Sequence, residues 1–206
     1  MGWLSCPGSL PAVAEGRAGP LLIVWNHRWE YDKGPEAFFS ALYALAERGV
    51  EFRVAVLGEG FVREPPEFTE ARERLGERIV QFGYAESFAD YARWLWRADV
   101  VVSTAIQESF GAAVAEAMYC GCLPVLPERL AYPQFVPPEH RDLCLYRDEA
   151  GLVERLAYLA AHPAVARDPA LRGAFRTQAA RYDWSLMAPE YDRRLAALAA
   201  AGAEAR

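Results

Sequence analysis

Two cationic and two acidic side chains stand at spacings that could handle a phosphorylated, hydroxyl-rich ligand. Arg28 and Lys33 fall within WNHRWEYDKGPEAFF, where Gly34 and Pro35 mark the start of a helix. Arginine offers a planar fork of donors and lysine a compact point charge. Beside a helix N-terminus, whose amides and dipole favour anions, such a pair suits a diphosphate. Solvated loop charges would look the same in sequence. Lys33 is the one lysine of the chain, and arginine supplies the rest of the positive charge.

The acidic pair lies in ADVVVSTAIQESFGAAVAEAMYCGCLPVLP, with Glu108 in a loop and Glu116 inside the helix that follows. A carboxylate accepts two hydroxyls in a fork, which suits a ribose diol or adjacent hexose hydroxyls. Ser109, Phe110, Gly111 and Ala112 lead into that helix, and Gly111 carries no side chain to block a phosphate from the first-turn amides. Alanines flank Glu116 and leave room beside it. The plainer alternative makes Glu108 a capping acid and Glu116 a surface residue. Two further loops carry weaker signals. Gly58 and Gly60 form a G-x-G after an apolar run, which any tight turn could use. Gly83 and Tyr84 end another run, and Tyr84 is either a contact for a nucleotide base or a packing residue.

These residues need a scaffold, and the chain alternates in a way that supplies one. Apolar runs at 20–26, 51–58, 78–83, 99–104, 123–127 and 142–146 read as strands. Helical patterns at 35–49, 67–76, 86–98 and 111–121 separate most of them, and 148–199 reads as three helices. Alternating strands and helices predict an α/β fold, a doubly wound parallel sheet with right-handed crossovers. Ligands bind beyond the carboxyl ends of such strands, which draws attention to the loops after 26, 58, 83 and 104. Residues 1–19, rich in Gly, Pro, Ala and Ser, read as a leader or linker, and 20–206 as one domain that includes the C-terminal helices.

Composition narrows the function classes. The net charge is −6 over 206 residues, which disfavours this chain as a nucleic-acid surface by itself. No run approaches the ~18 apolar residues of a membrane span. Cys6, Cys120, Cys122 and Cys144 fit no metal motif and read as reduced thiols of a cytoplasmic protein. Of three histidines, His27 alone neighbours the candidate loops, and it reads as a residue that orients its loop; His140 and His162 read as exposed. Tyr91, Trp94 and Trp96 read as core, and Tyr132 and Phe135 as packing residues.

The R-x4-K-G of Arg28 to Gly34, the G-x-G from Gly58, and the E-x7-E of Glu108 to Glu116 followed by EAMYCGCLPV agree in order and spacing with a known pattern. Together they resemble the C-terminal half of the retaining, GT-B-type glycosyltransferases of family 4, over about residues 20–140, with YDWSLMAPEYDRRL similar to that family's returning C-terminal helix. The resemblance implies that Arg28 and Lys33 bind and stabilise the leaving diphosphate, and that Glu116 holds the ribose. Glu108, with the amides at Phe110 to Ala112, would hold the hexose and its phosphate. It implies no metal, in keeping with the missing Asp-x-Asp motif, and no other cofactor. The branch it points to uses GDP-mannose as donor and a tRNA nucleoside as acceptor. Ser109 and Gln107 depart from that branch beside the hexose position. The family is about twice as long, so its acceptor-binding N-terminal domain is expected to lie outside this chain, and tRNA to be reached through that domain alone. A nucleotide-sugar-binding module without turnover, or a GT-B hydrolase or epimerase, are the alternatives.

Overall fold

The structure, a computed structural model, describes residues 18–59 and 64–204. The segment expected to be a leader lies outside them up to residue 17, as does Gly60. Six strands, β1 (Leu21–Asn26), β2 (Phe52–Leu57), β3 (Ile79–Gly83), β4 (Val100–Val102), β5 (Leu123–Pro127) and β6 (Leu145–Tyr146), form one sheet in the order β3-β2-β1-β4-β5-β6. All five pairings are parallel. Both faces of the sheet are covered, which is why the strands are almost unbroken apolar runs.

Helices α1 (Pro35–Glu47), α2 (Pro66–Leu75), α3 (Phe88–Arg97) and α4 (Ala112–Tyr119) make the crossovers between the first five strands. Helix α1 starts with Pro35 in its first turn, where a missing N–H costs nothing, and Gly34 precedes it in the left-handed region at φ 64°. Ser87 caps α3 by accepting from the Asp90 amide. Trp25 on β1 is fully buried, with the Phe38 ring stacked at 5.6 Å and the Phe68 ring at 5.8 Å. That aromatic cluster packs around the end of β1, where the loop carrying Arg28 and Lys33 leaves the sheet.

The sequence expectation fails at the far edge. Residues 142–146 do not form a strand throughout. Arg141–Cys144 is a single helical turn, α5, and β6 keeps two residues. A short apolar run cannot be told from buried helix by periodicity, and the 3-10 turn at Pro138–His140 carries the chain into α5 already coiled. The tail holds four helices rather than three: α6 (Glu149–Ala161), α7 (Pro163–Ala166), α8 (Pro169–Ala180) and α9 (Trp184–Glu204). Pro163 and Pro169 each start a new helix and so divide the expected segment. Among the described residues no helix is long and apolar enough to cross a membrane.

Candidate functional site

Strand order reverses between β1 and β4, the place where a doubly wound sheet opens a crevice at its carboxyl edge. The two loops that leave these strands, 27–34 and 103–111, carry three of the four charged candidates, and Glu116 follows on α4. The loops are locked together by backbone. The Asp32 carbonyl accepts from the amides of Ile106 at 2.8 Å and Gln107 at 3.2 Å. Thr104 donates its hydroxyl to the Lys33 carbonyl at 3.0 Å. A Cβ on Gly34 would lie 2.5 Å from the Thr104 carbonyl oxygen, so glycine is what lets the loops touch. The same device joins the loop after β2: a Cβ on Gly58 would lie 2.1 Å from the His27 carbonyl oxygen. Gly58 in turn donates its amide to the Gly83 carbonyl at 3.3 Å.

Within this frame Lys33 is 8% exposed and its ammonium is bracketed. It lies 3.0 Å from Asp32 Oδ2 and 3.4 Å from Glu108 Oε2, and donates to the Gln107 carbonyl at 3.1 Å. Arg28 is exposed, 3.2 Å from Glu30 Oε2. Partial burial pushes the Glu108 carboxyl up, but Lys33 and the amides of Phe110 and Gly111 outweigh it and hold the group below its usual value. Glu108 Oε1 accepts from the Phe110 amide at 3.3 Å, so Glu108 both caps the loop and pairs with the cation. Glu116 goes the other way: burial raises its pKa, and a hydrogen bond from Tyr91 opposes the rise. His27 is buried under the loop, edge-on to the Trp25 ring at 5.1 Å. Desolvation, reinforced by Lys33, lowers its pKa to about 4, so the ring is neutral at physiological pH.

Two cavities flank the charged residues. One, of about 400 Å³, is lined by Asn26, Arg28, Gly58, Tyr84, Ser87 and Tyr91 among others. Tyr84 is 69% exposed at its rim. The other, of about 440 Å³, is lined by Phe110, Ala112, Glu116, Tyr182, Trp184 and Tyr191 among others. The structure thus brings Arg28, Gly58 and Tyr84 together on one side and Phe110, Ala112 and Glu116 on the other. Ser109 is exposed in the loop, and Gly83 serves the site through its carbonyl.

Three sequence expectations need correction. Gly111, at φ 93°, is held to glycine by packing and not by a need for open space: a Cβ there would meet the Tyr132 and Phe135 rings at 3.2 Å, so the glycine seats α4 on those aromatics. Tyr91 is no plain core residue. Its hydroxyl lies in the site, 2.7 Å from Glu116 Oε2, whereas Trp94 and Trp96 pack against the core as expected. His140 is half-buried against the Phe175 ring, not exposed. Tyr132 and Phe135 are fully buried packing residues, as expected. Asn26, the last residue of β1, escaped notice because a strand-end polar residue has no periodic signature; it donates to the Tyr91 hydroxyl at 2.9 Å.

The family profile for glycosyl transferases group 1 matches residues 20–162. The chain is 39% identical over 145 residues to the tRNA-queuosine alpha-mannosyltransferase of Drosophila melanogaster, covering 70% of this chain and 37% of that protein. It is 26% identical over 176 residues to the GDP-mannose:cellobiosyl-diphosphopolyprenol alpha-mannosyltransferase of Xanthomonas campestris, covering 85% of this chain and 46% of that one. The chain therefore spans less than half the length of these curated relatives. Among solved structures, sucrose-phosphate synthase from Thermosynechococcus elongatus superposes with a TM-score of 0.70 at 22% identity, over 88% of this chain and 46% of that one, a likeness of fold.

Proposed function

The chain belongs to the glycosyl transferases group 1 family, and from that premise we propose that it is the donor-binding half of a GDP-mannose-dependent mannosyltransferase. The observation that carries this reading is the convergence of Arg28, Lys33, Glu108 and Glu116 on the crevice between β1 and β4. Lys33 is paired with Glu108 there, Arg28 and Glu116 line the two flanking cavities, and the two carboxylates have opposite pKa shifts.

Arg28 and Lys33 receive the diphosphate, Glu116 the ribose hydroxyls, and Glu108 the hexose. As the bond from sugar to diphosphate breaks, negative charge grows on the leaving phosphate. The two cations then interact more strongly with the transition state than with the ground state, which is what makes binding catalytic. A donor of this kind, aimed at developing charge, is worth about 2–4 kcal/mol of barrier. Lys33 is already largely desolvated, and its three donors face Asp32, Glu108 and the Gln107 carbonyl, so a diphosphate oxygen takes the place of one of these partners. Neutralisation by these side chains makes a metal ion unnecessary in this reading. The acceptor, by analogy with the relative in Drosophila melanogaster a queuosine in tRNA, is bound by a domain that this chain does not include.

Calorimetric titration of the chain with GDP, UDP and ADP tests the assignment. GDP is expected to bind most tightly, and GDP-mannose to bind without being transferred. Preference for UDP would overturn the mannosyl donor, and a chain that binds none of the three has no donor site here.

A further inference from the structure

Glu116 has two carboxylate oxygens, and one of them is committed. Oε2 accepts the Tyr91 hydroxyl at 2.7 Å. The Tyr91 oxygen accepts from Asn26 Nδ2 at 2.9 Å, and the same nitrogen donates to the Ala113 carbonyl at 2.8 Å. A carbonyl only accepts, so the Asn26 amide nitrogen has to face it, and this sets the amide orientation. With its lone pair engaged by Asn26, the Tyr91 hydroxyl has its own proton left for Glu116. The relay therefore starts on α4 at Ala113, passes through β1 and α3, and returns to α4 at Glu116. Asn26 and Tyr91 both line the cavity that holds Arg28, while Glu116 lines the neighbouring one.

We propose that Tyr91, oriented by Asn26, is a positioning residue that fixes the Glu116 carboxylate in the one orientation that accepts the donor's ribose hydroxyls. The inference rests on the donor-site reading above. A glutamate left to itself samples several rotamers and loses that freedom when ligand binds; a carboxylate already tethered through Oε2 has lost it beforehand. Tyr91 would thus sharpen the discrimination between a ribose and a sugar without hydroxyls, while leaving base and phosphate contacts alone.

The test is titration of the chain with GDP and with 2′,3′-dideoxy-GDP. Wild type is expected to prefer GDP by about tenfold or more, as sites that bond a ligand hydroxyl do. Tyr91→Phe keeps the ring beside Phe88, at 6.2 Å, and thermal melting checks that the fold survives. It should shrink the preference to about two- to threefold while the dideoxy affinity moves by less than about twofold. Asn26→Ser, which leaves the Tyr91 rotor unset, should lower the same ratio. In a Glu116→Ala background Tyr91→Phe should have no further effect. If wild type prefers GDP and both variants keep the whole preference, this inference fails and the donor site stands. If wild type binds both nucleotides equally, or neither, the ribose role of Glu116 fails and the inference with it.

Discussion

At the scale of the residue, His27 gives the sharpest prediction. Its ring is buried and its pKa is lowered from 6.5 to about 4 by desolvation and by Lys33. Between those values the unfolded chain binds a proton that the folded chain refuses. The stability tied to neutral His27 is thus complete above pH 6.5 and lost as pH falls toward 4, with about 3 kcal/mol at stake. His27→Gln should remove that part of the acid sensitivity. Denaturant midpoints at about pH 7.5 and about pH 4.5 decide it: equal losses for wild type and variant would mean that the ring does not resist protonation. Arg28, Lys33 and Glu108 were legible in sequence because they lie in loops that lead into helices, where residue types and glycines are informative, and Glu116 because small residues surround it on α4. Tyr91 was not, because its partner Glu116 is on another helix and no local pattern records a contact between two crossover elements.

Elements set the next scale, and their glycines separate close approach from mere turning. Gly34 and Gly58 have positive φ, and a side chain on either would strike backbone carbonyl oxygens. Gly83 also has positive φ, 108°, but open space where a Cβ would go. Gly34→Ala and Gly58→Ala should therefore destabilise by about 3 kcal/mol or more, whereas Gly83→Ala should stay near ~1 kcal/mol, the left-handed penalty alone. Urea melts measure the contrast, and similar losses at all three positions would mean that the loops yield easily. Strand and helix order was readable because central parallel strands are apolar runs bounded by turn residues. The edge was not: β6 has one neighbour, two residues satisfy it, and nothing in DLCLY says where the coil stops and the strand starts.

Over the whole molecule, the feature that stands apart from the core is α9. Leu195 and Leu198 on it are 62% and 70% exposed. Leu195→Asp with Leu198→Asp should change the stability of this chain by less than about 0.5 kcal/mol, and should reduce any self-association at high concentration. A large drop in melting temperature would mean that the helix belongs to the domain's core after all. The doubly wound plan, and the loops after 26, 58, 83 and 104 as the place for a site, were in the sequence, although the strand order that sets β1 beside β4 was not, since the same element order allows other strand orders. The way its loops touch was not. Because Gly34 rests on Thr104 and Gly58 on His27, the site cannot be exchanged one loop at a time. A chimera that took the loop after β1 from one relative and the loop after β4 from another would join surfaces never shaped for each other. In this architecture a new ligand preference at the crevice has to be inherited, or engineered, as a set of loops moved together.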